Sequence, residues 1–422
     1  MGALKPIRKL ALTCTLLLAA AQATAQTLVV GGDMSLLPKY EERGVRFLRQ
    51  NGLSIADVLK YVKTDAVGWN AVRCRLFVNP ATDGDPSVCQ NLDYVTAFGK
   101  RIKDEGMAFM LDFHYSDTWA DPAHQTVPKA WEGLNATQLA TQVYDYTKAA
   151  LEALVAAGAT PDYIQVGNEV TCGMLWDYGR INSGGKNNIA SFVNFLKAGV
   201  RACREVCPDA KVVIHMEHLQ NASYITQNFS TLVSRGVDYD IIGLSYYPFW
   251  HGNIVALRAA LNALEANANT KTKEIQIVET AYNYVPPTGD ITYDFSETWP
   301  YSAEGQVSFL ADLIAELKQH KSVTGLYWWF PEENGTGPNE DKSVMWMWLN
   351  RGLWNNSNHR ALPALLGLKA FLDRDDDAVA APRAATPAGS EWHSLQGFRT
   401  DGVPTTPGIY VHKGHKVAVG TR

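Results

Sequence analysis

An α/β fold, a closed (β/α)8 TIM barrel with long loops after its strands and a short C-terminal β tail, is predicted by three observations. Eight short runs rich in β-branched and aromatic residues recur along the chain, and longer stretches with helical periodicity fall between them. No complete glycine-rich phosphate turn follows the first strand, as an open doubly wound sheet would require; Gly31-Gly32-Asp33 has only the glycines. Eight parallel βα units close most simply into a barrel.

The expected strands run from Leu28 to Ser35, Ala71 to Phe77, Ala108 to Tyr115, Tyr163 to Glu169, Val212 to Met216, Ile241 to Tyr247, Glu274 to Ala281 and Val323 to Phe330. Amphipathic stretches from Leu92 to Lys103, Thr137 to Ala157, Ile189 to Glu205, Ile254 to Ala266 and Ala303 to His320 supply helices between them. The longest connections all follow strands: Asn79 to Gln90, Ser116 to Gly133, Thr171 to Lys186, Asn283 to Ser302 and Pro331 to Arg360. In a barrel that is the functional face, and loops of this length predict a broad cleft there.

Four segments are expected. In residues 1–25, Lys5, Arg8 and Lys9 precede an apolar run from Leu10 to Ala21, and Ala23-Thr24-Ala25 offers small residues for cleavage, the pattern of a signal peptide. The run is too short to span ~30 Å of hydrocarbon as a helix. Export to the periplasm, cell surface or medium is therefore expected, with no membrane span. The barrel occupies 26–374, an Asp, Ala, Pro and Thr-rich linker 375–390, and the tail 391–422, where Leu395-Gln396-Gly397 and Gly408-Ile409-Tyr410-Val411 suggest a β-hairpin without chemistry of its own.

The composition is that of an ordinary globular chain, 46% apolar and 19% charged over 422 residues, with enough apolar material for one large core. A net charge of -5 with scattered Lys and Arg excludes a nucleic-acid footprint. Cys14 leaves with the signal, and the remaining Cys74, Cys89, Cys172, Cys203 and Cys207 are odd in number, so this is no disulfide scaffold. Cys203 and Cys207 fit either a small local bridge or two thiols at a helix end. Zinc is discounted for want of a second pair at ligand spacing.

Carboxylates at strand ends carry the chemical signal. Ile164-Gln165-Val166-Gly167-Asn168-Glu169 is an apolar strand ending in a polar pair, and Ile275-Gln276-Ile277-Val278-Glu279-Thr280 repeats the design three strands later. A lone Glu at such a place is as readily a structural ion pair; two, on strands four and seven of one barrel, point to function. Glycoside hydrolysis needs such a pair, one carboxyl protonated to serve the leaving oxygen and one ionised to attack or to activate water. A separation near 5 Å predicts retention of anomeric configuration, and one beyond ~6.5 Å predicts inversion.

Around the pair, Asn168 supplies an amide for a sugar 2-hydroxyl. Of Arg73 and Arg75, only one is expected to point into the barrel, where it would keep Glu279 ionised. Trp119, Trp131, Trp176, Tyr246, Tyr247, Phe249, Trp250, Trp299, Trp328, Trp329, Trp346 and Trp348 lie on or after strands, where rings can stack on the CH faces of sugars or simply pack the core. His114, Asp117, Asp121 and Asn168 are candidate partners for sugar hydroxyls. His215-Met216-Glu217-His218 invites a metal reading, which strand alternation and the lack of a partner at zincin spacing oppose; sugar contact by His215 is preferred.

With these residues in view, the chain resembles the family 53 glycoside hydrolases, the endo-β-1,4-galactanases. The resemblance rests on Gly32-Asp33-Met34-Ser35, Val72-Arg73-Cys74-Arg75-Leu76-Phe77-Val78-Asn79-Pro80, Asp112-Phe113-His114-Tyr115-Ser116-Asp117-Thr118-Trp119-Ala120-Asp121-Pro122, Gly167-Asn168-Glu169, Ser245-Tyr246-Tyr247-Pro248-Phe249, Val278-Glu279-Thr280 and Tyr327-Trp328-Trp329, and covers Leu28 to Leu372. It implies a retaining barrel enzyme with Glu169 as acid/base and Glu279 as nucleophile. It implies also that Arg73 and Tyr246 or Tyr247 hold the nucleophile, that Trp329 floors the subsite of cleavage, and that Asp33 belongs to the substrate-binding set.

The implied substrate is the β-1,4-galactan of pectin or type I arabinogalactan, cut internally by a monomer; the rivals are a β-mannanase or β-glucanase of the same clan, or a non-catalytic glycan-binding protein. Two places depart from the family. Some bacterial members carry a calcium loop after strand seven, but Tyr284-Val285-Pro286-Pro287-Thr288-Gly289-Asp290 has poor ligand spacing, so no cofactor or metal is expected. Phe330-Pro331-Glu332-Glu333 replaces the usual Glu-Pro after Trp329, which leaves open the contacts beyond the cleavage point.

Overall fold

The computed structural model describes residues 27–81, 84–287, 289, 291–337, 340–345 and 348–373, together with 392–394, 399–400, 408–412 and 415–419. The expected signal peptide, the linker, the Leu395-Gln396-Gly397 strand, Trp346, and Thr288 and Asp290 of the calcium-loop segment lie outside these residues. Residues up to Asp373 form one compact unit, and those from Arg374 form another.

The first unit is a closed barrel of eight parallel strands: β1 (Val29–Asp33), β2 (Ala71–Leu76), β3 (Ala108–Phe113), β4 (Tyr163–Val166), β5 (Lys211–Met216), β6 (Ile241–Tyr246), β7 (Glu274–Thr280) and β8 (Val323–Trp329). Each strand pairs with the next in sequence, and β1 closes the ring against β8 through Val29 opposite Gly325 and Asp33 opposite Trp329. All eight are nearly continuous apolar runs because both of their faces are covered. Inward positions contribute Val29, Ala71, Met110, Tyr163, Val213, Ile241, Val278 and Tyr327, one from each strand, to a buried cluster inside the barrel. A much larger cluster lies between the strands and the helices. Glycine is needed at Gly31, where a Cβ would stand 1.8 Å from the Ala71 carbonyl oxygen.

Ten α-helices are formed by the described residues: α1 (Leu37–Glu42), α2 (Val58–Lys63), α3 (Leu92–Asp104), α4 (Ala136–Ala156), α5 (Ile189–Val206), α6 (Ala222–Ser234), α7 (Pro248–His251), α8 (Ile254–Ala266), α9 (Ala303–Leu317) and α10 (Pro363–Gly367). Caps fix several starts: Asn91 for α3, a capping box of Asn135 and Gln138 for α4, Asn253 for α8 and Ser302 for α9. The expected helices match α3, α4, α5, α8 and α9 to within a few residues. Sequence reading passed over the short α1, α2, α7 and α10, whose four to six residues are too few to show a period, and also α6, whose polar stretches mask its apolar stripe. No helix among the described residues is long and apolar enough to cross a membrane.

Cys203 and Cys207 end α5 as two buried free thiols, and the other three described cysteines are also unpaired. In the second unit, β9 (Trp392–Ser394), β10 (Arg399–Thr400), β11 (Gly408–His412) and β12 (His415–Val419) form an antiparallel sheet in the order β10-β9-β11-β12. It is four-stranded where a single hairpin was expected; β11 and β12 make the tight hairpin.

Candidate active site

Every barrel strand aims alternate side chains inward, and above the apolar layer these positions turn polar: Asp33, Arg73, Arg75, Asp112, His114, Gln165, His215 and Ser245, all buried. Arg73 and Arg75 both point inward, since residues two apart share a strand face; the expectation that only one does is corrected. Arg73 is the hub. Its Nη1 lies 2.7 Å from Asp33 Oδ2 and 2.9 Å from Glu279 Oε1, and its Nη2 donates to Asp112 Oδ2 and Asn168 Oδ1 at 2.9 Å each. Nε donates to Gln165 Oε1 at 3.2 Å, so the whole fork is engaged. Arg75 instead lies 3.5 Å from Asp33 and stacks 4.4 Å over Trp119, forming part of the wall below that ring.

The two glutamates occupy contrasting environments. Glu279, near the end of β7 and 5% exposed, receives Arg73 on Oε1 and the Tyr247 hydroxyl on Oε2 at 2.8 Å. Burial pushes its carboxyl up to about 7, opposed by the Arg73 charge and aided by Asp33. Glu169 is half-buried beyond β4, on a backbone that turns left-handed at Gly167 (φ +87°) and again at Glu169 itself (φ +47°). Among the described residues, Ser245 alone supports its carboxyl with a side-chain hydrogen bond, donating at 2.7 Å. Burial, then the charges of Glu279 and Glu217, raise its proton affinity well above the ordinary carboxyl range. The site therefore holds one carboxylate on a cation and one carboxyl that keeps its proton.

Supporting residues explain this division. His215 is fully buried, so its expected sugar contact is corrected: Nδ1 lies 2.9 Å from Asn168 Oδ1 and Nε2 2.8 Å from Ser245 Oγ. Burial and then Arg73 hold it far below its ordinary value, hence neutral. Asp33, also placed among substrate contacts, has no exposed surface and serves Arg73. Burial alone would raise the Asp112 carboxyl, but Arg73 and His114 hold it low; His114 donates to it from Nε2 at 3.1 Å and receives the Ala120 N–H on Nδ1. Asn168 donates to the Ala120 carbonyl at 2.8 Å, which ties the β3 loop to the β4 end.

Tyr246 and Tyr247 divide cleanly. Tyr247 touches Glu279, whereas Tyr246 points outward, fully buried, to stack on Phe309 of α9 and donate to the Gly252 carbonyl, so it is no substrate residue. Asp117 receives the N–H groups of Asn79 and Lys129, joining two loops, and Asp121 receives those of Ala123 and His124. Both stay half-exposed. A line of rings crosses the mouth: Trp119 to Trp329 at 6.1 Å, Trp329 to Trp348 at 4.4 Å, and Trp348 to Tyr247 and Trp250 at 5.4 and 5.8 Å. Trp131, Trp299 and Trp328 belong to the core instead; Trp328 faces away from Trp329 because neighbours on a strand alternate.

Four residues that sequence reading did not assign complete the site: Asp112, Gln165, Ser245 and Glu217. Period two along β3, β4 and β6 marks the first three as inward, but only the assembled barrel shows that they converge. Glu332 and Glu333, at the departure after Trp329, are fully buried struts; Glu332 receives the Leu36 N–H at 2.8 Å and Glu333 faces Gly335 and Ser343. Among the described residues no group of three or more His, Cys, Asp or Glu is arranged to hold a metal ion. Among the described residues of the segment after β7, the Asn283 amide oxygen already faces the Arg351 guanidinium at 3.1 Å and is not open to a cation.

Comparison with known proteins agrees with this geometry. The family described as Glycosyl hydrolase family 53 matches residues 29–368. An endo-beta-1,4-galactanase of Bacillus subtilis (strain 168) is 33% identical over 78% of this chain and 76% of its own length. An arabinogalactan endo-beta-1,4-galactanase of Thermothelomyces thermophilus is 34% identical over 71% and 88%. Among solved structures, the Ignisphaera aggregans catalytic domain of the same family superposes with a TM-score of 0.70 at 30% identity, covering 82% of this chain and 96% of that one. With its strand-four and strand-seven glutamates gathered at one barrel mouth, the chain belongs to glycosyl hydrolase family 53.

Proposed function

We propose that this protein is an exported, monomeric, endo-acting and retaining β-1,4-galactanase that cuts pectic galactan or type I arabinogalactan without a metal or cofactor. The observation that carries the reading is the unequal support of the two glutamates among the described residues, Arg73 and Tyr247 on Glu279 against Ser245 on Glu169. A Glu279 oxygen attacks the anomeric carbon while Glu169 gives its proton to the glycosidic oxygen, so the C–O bond breaks and a glycosyl ester forms. Glu169, now a carboxylate, then takes a proton from water; the water oxygen bonds to the anomeric carbon and the Glu279 carboxylate leaves. Trp119 and Trp329 offer ring faces for the galactose units, and Asn168 an amide for the 2-hydroxyl.

A panel of potato or lupin galactan, β-mannan and cellulose, with products sized by chromatography, tests the substrate; short galacto-oligosaccharides from the first alone are expected, and preferential hydrolysis of mannan or cellulose would overturn it. Proton NMR of the first product formed gives the stereochemistry. The β anomer is expected to appear first, and the α anomer would overturn retention.

The pH profile of kcat/KM is expected to be a bell. Activity falls on the acid side as Glu279 takes up a proton, at a pH raised above the ordinary carboxyl range by burial. It falls on the alkaline side as Glu169 loses its own, a loss that burial and then the Glu279 charge push well above the ordinary carboxyl range. A profile with a single limb would count against the pair.

A further inference from the structure

The motif His215-Met216-Glu217-His218 leaves one carboxylate that the mechanism does not use. Glu217 follows β5 and is 3% exposed. Its Oε2 takes the Thr171 hydroxyl proton in a short hydrogen bond, and the Thr171 oxygen in turn receives the Glu217 N–H at 3.1 Å. The residues are thus clamped at two points. Thr171 lies in the 3-10 turn Val170–Cys172, which starts at the residue after Glu169. That turn leaves the chain left-handed at Glu169, a conformation unfavourable for a non-glycine residue and kept only where neighbours impose it. The other Glu217 oxygen, Oε1, lies 2.7 Å from Nδ1 of the half-exposed His218.

We propose that Glu217 is a positioning residue for Glu169: through Thr171 it holds the turn that presents the acid/base. Its negative charge, added to burial and to the charge of Glu279, also opposes premature loss of the Glu169 proton. The inference rests on the reading of Glu169 as acid/base. The groups that face Glu169 are Glu279, Glu217, Asp121, Tyr247, Ser245 and the neutral His215, and of these Glu217 is the one joined, through Thr171, to the turn that follows it. Around the clamp, His218 is charged more readily because of its bond to Glu217, with Tyr224 packed on its ring at 5.6 Å and His251 nearby.

Three variants in the full chain separate charge from grip, each checked for folding by thermal melting. Glu217→Gln keeps the volume and both contacts but removes the charge, and the alkaline limb of the kcat/KM profile is expected to move down by roughly one pH unit. Glu217→Asp keeps the charge and is expected to leave that limb near its wild-type pH. Thr171→Val breaks the grip without touching the charge and is expected to lower kcat about 10-fold with KM and both limbs unmoved. An alkaline limb unmoved in Glu217→Gln, or an unchanged kcat in Thr171→Val, would overturn the proposal. Should Glu169→Gln retain full turnover on galactan, the acid/base reading itself fails; an inactive Glu169→Gln with an unmoved limb in Glu217→Gln sinks only the clamp.

Discussion

Glu279→Gln is expected to lower kcat on galactan by about 10⁴-fold or more while leaving KM for galactan nearly unchanged. The amide keeps the shape and one hydrogen bond from Tyr247, but it cannot form the glycosyl ester. Glu169→Gln is expected to lose about 10³-fold on the polysaccharide, whose alkoxide leaving group needs a proton, and far less on an aryl glycoside, whose phenolate does not. The two variants therefore separate on the leaving group, and equal losses on both substrates would contradict the assigned roles.

Stability should move the other way for Glu279→Gln. Its folded carboxyl sits at about 7 against an ordinary 4.5, so the wild type gains from it fully below the ordinary value and loses that gain as pH rises through the folded one. The variant, with nothing to ionise, is expected to melt close to wild type at pH 4 and higher than wild type at pH 8. Melting curves at the two values decide the matter, and a lower melting point at pH 8 would show that the Arg73 contact outweighs burial.

Arg73→Met carries the second large effect. Three carboxylates, Asp33, Asp112 and Glu279, meet on this one guanidinium, and all are buried. Removing the cation leaves uncompensated charge inside the barrel, a loss of about 3–5 kcal/mol in urea unfolding at neutral pH, smaller in acid where the carboxyls protonate. Activity is expected to be nearly abolished, with its acid limb moved upward, because the charge that opposes protonation of Glu279 is gone. Arg73→Lys restores charge without reach: three donors on a point cannot serve the five contacts of the fork, so stability recovers more than turnover. A lysine variant with wild-type kcat would show that charge alone suffices.

Much of this was legible in the chain. The strand starts and ends fall within a few residues of the runs read from the sequence, because each strand is covered on both faces and so is written as a mostly apolar stretch. Glu169 and Glu279 stand out for the same reason in reverse, a charge at the end of such a run. What misled was direction. Period two puts Arg75 on the same face as Arg73, alternation sends Tyr246 to Phe309 and not to Glu279 beside Tyr247, and Asp33 and His215, sugar contacts by residue type, are fully buried. Residue type marks a group as polar and well placed; it does not say whether sugar or protein takes up its hydrogen bonds.

The sequence by itself determined the barrel, its eight strands and the two glutamates at their ends, because hydrophobic period and the position of a charge along a strand are properties of neighbours in the chain. Only the tertiary structure decided that Glu279 rests on Arg73 and Tyr247, that Ser245 bonds Glu169 while Glu217 grips Thr171 in the turn beyond it, and that a histidine expected to meet sugar contacts Ser245 and Asn168 instead. Those partners stand tens of residues apart and meet because a closed barrel brings the ends of all its strands to one rim, where the sign and burial of each neighbour set which carboxyl keeps its proton.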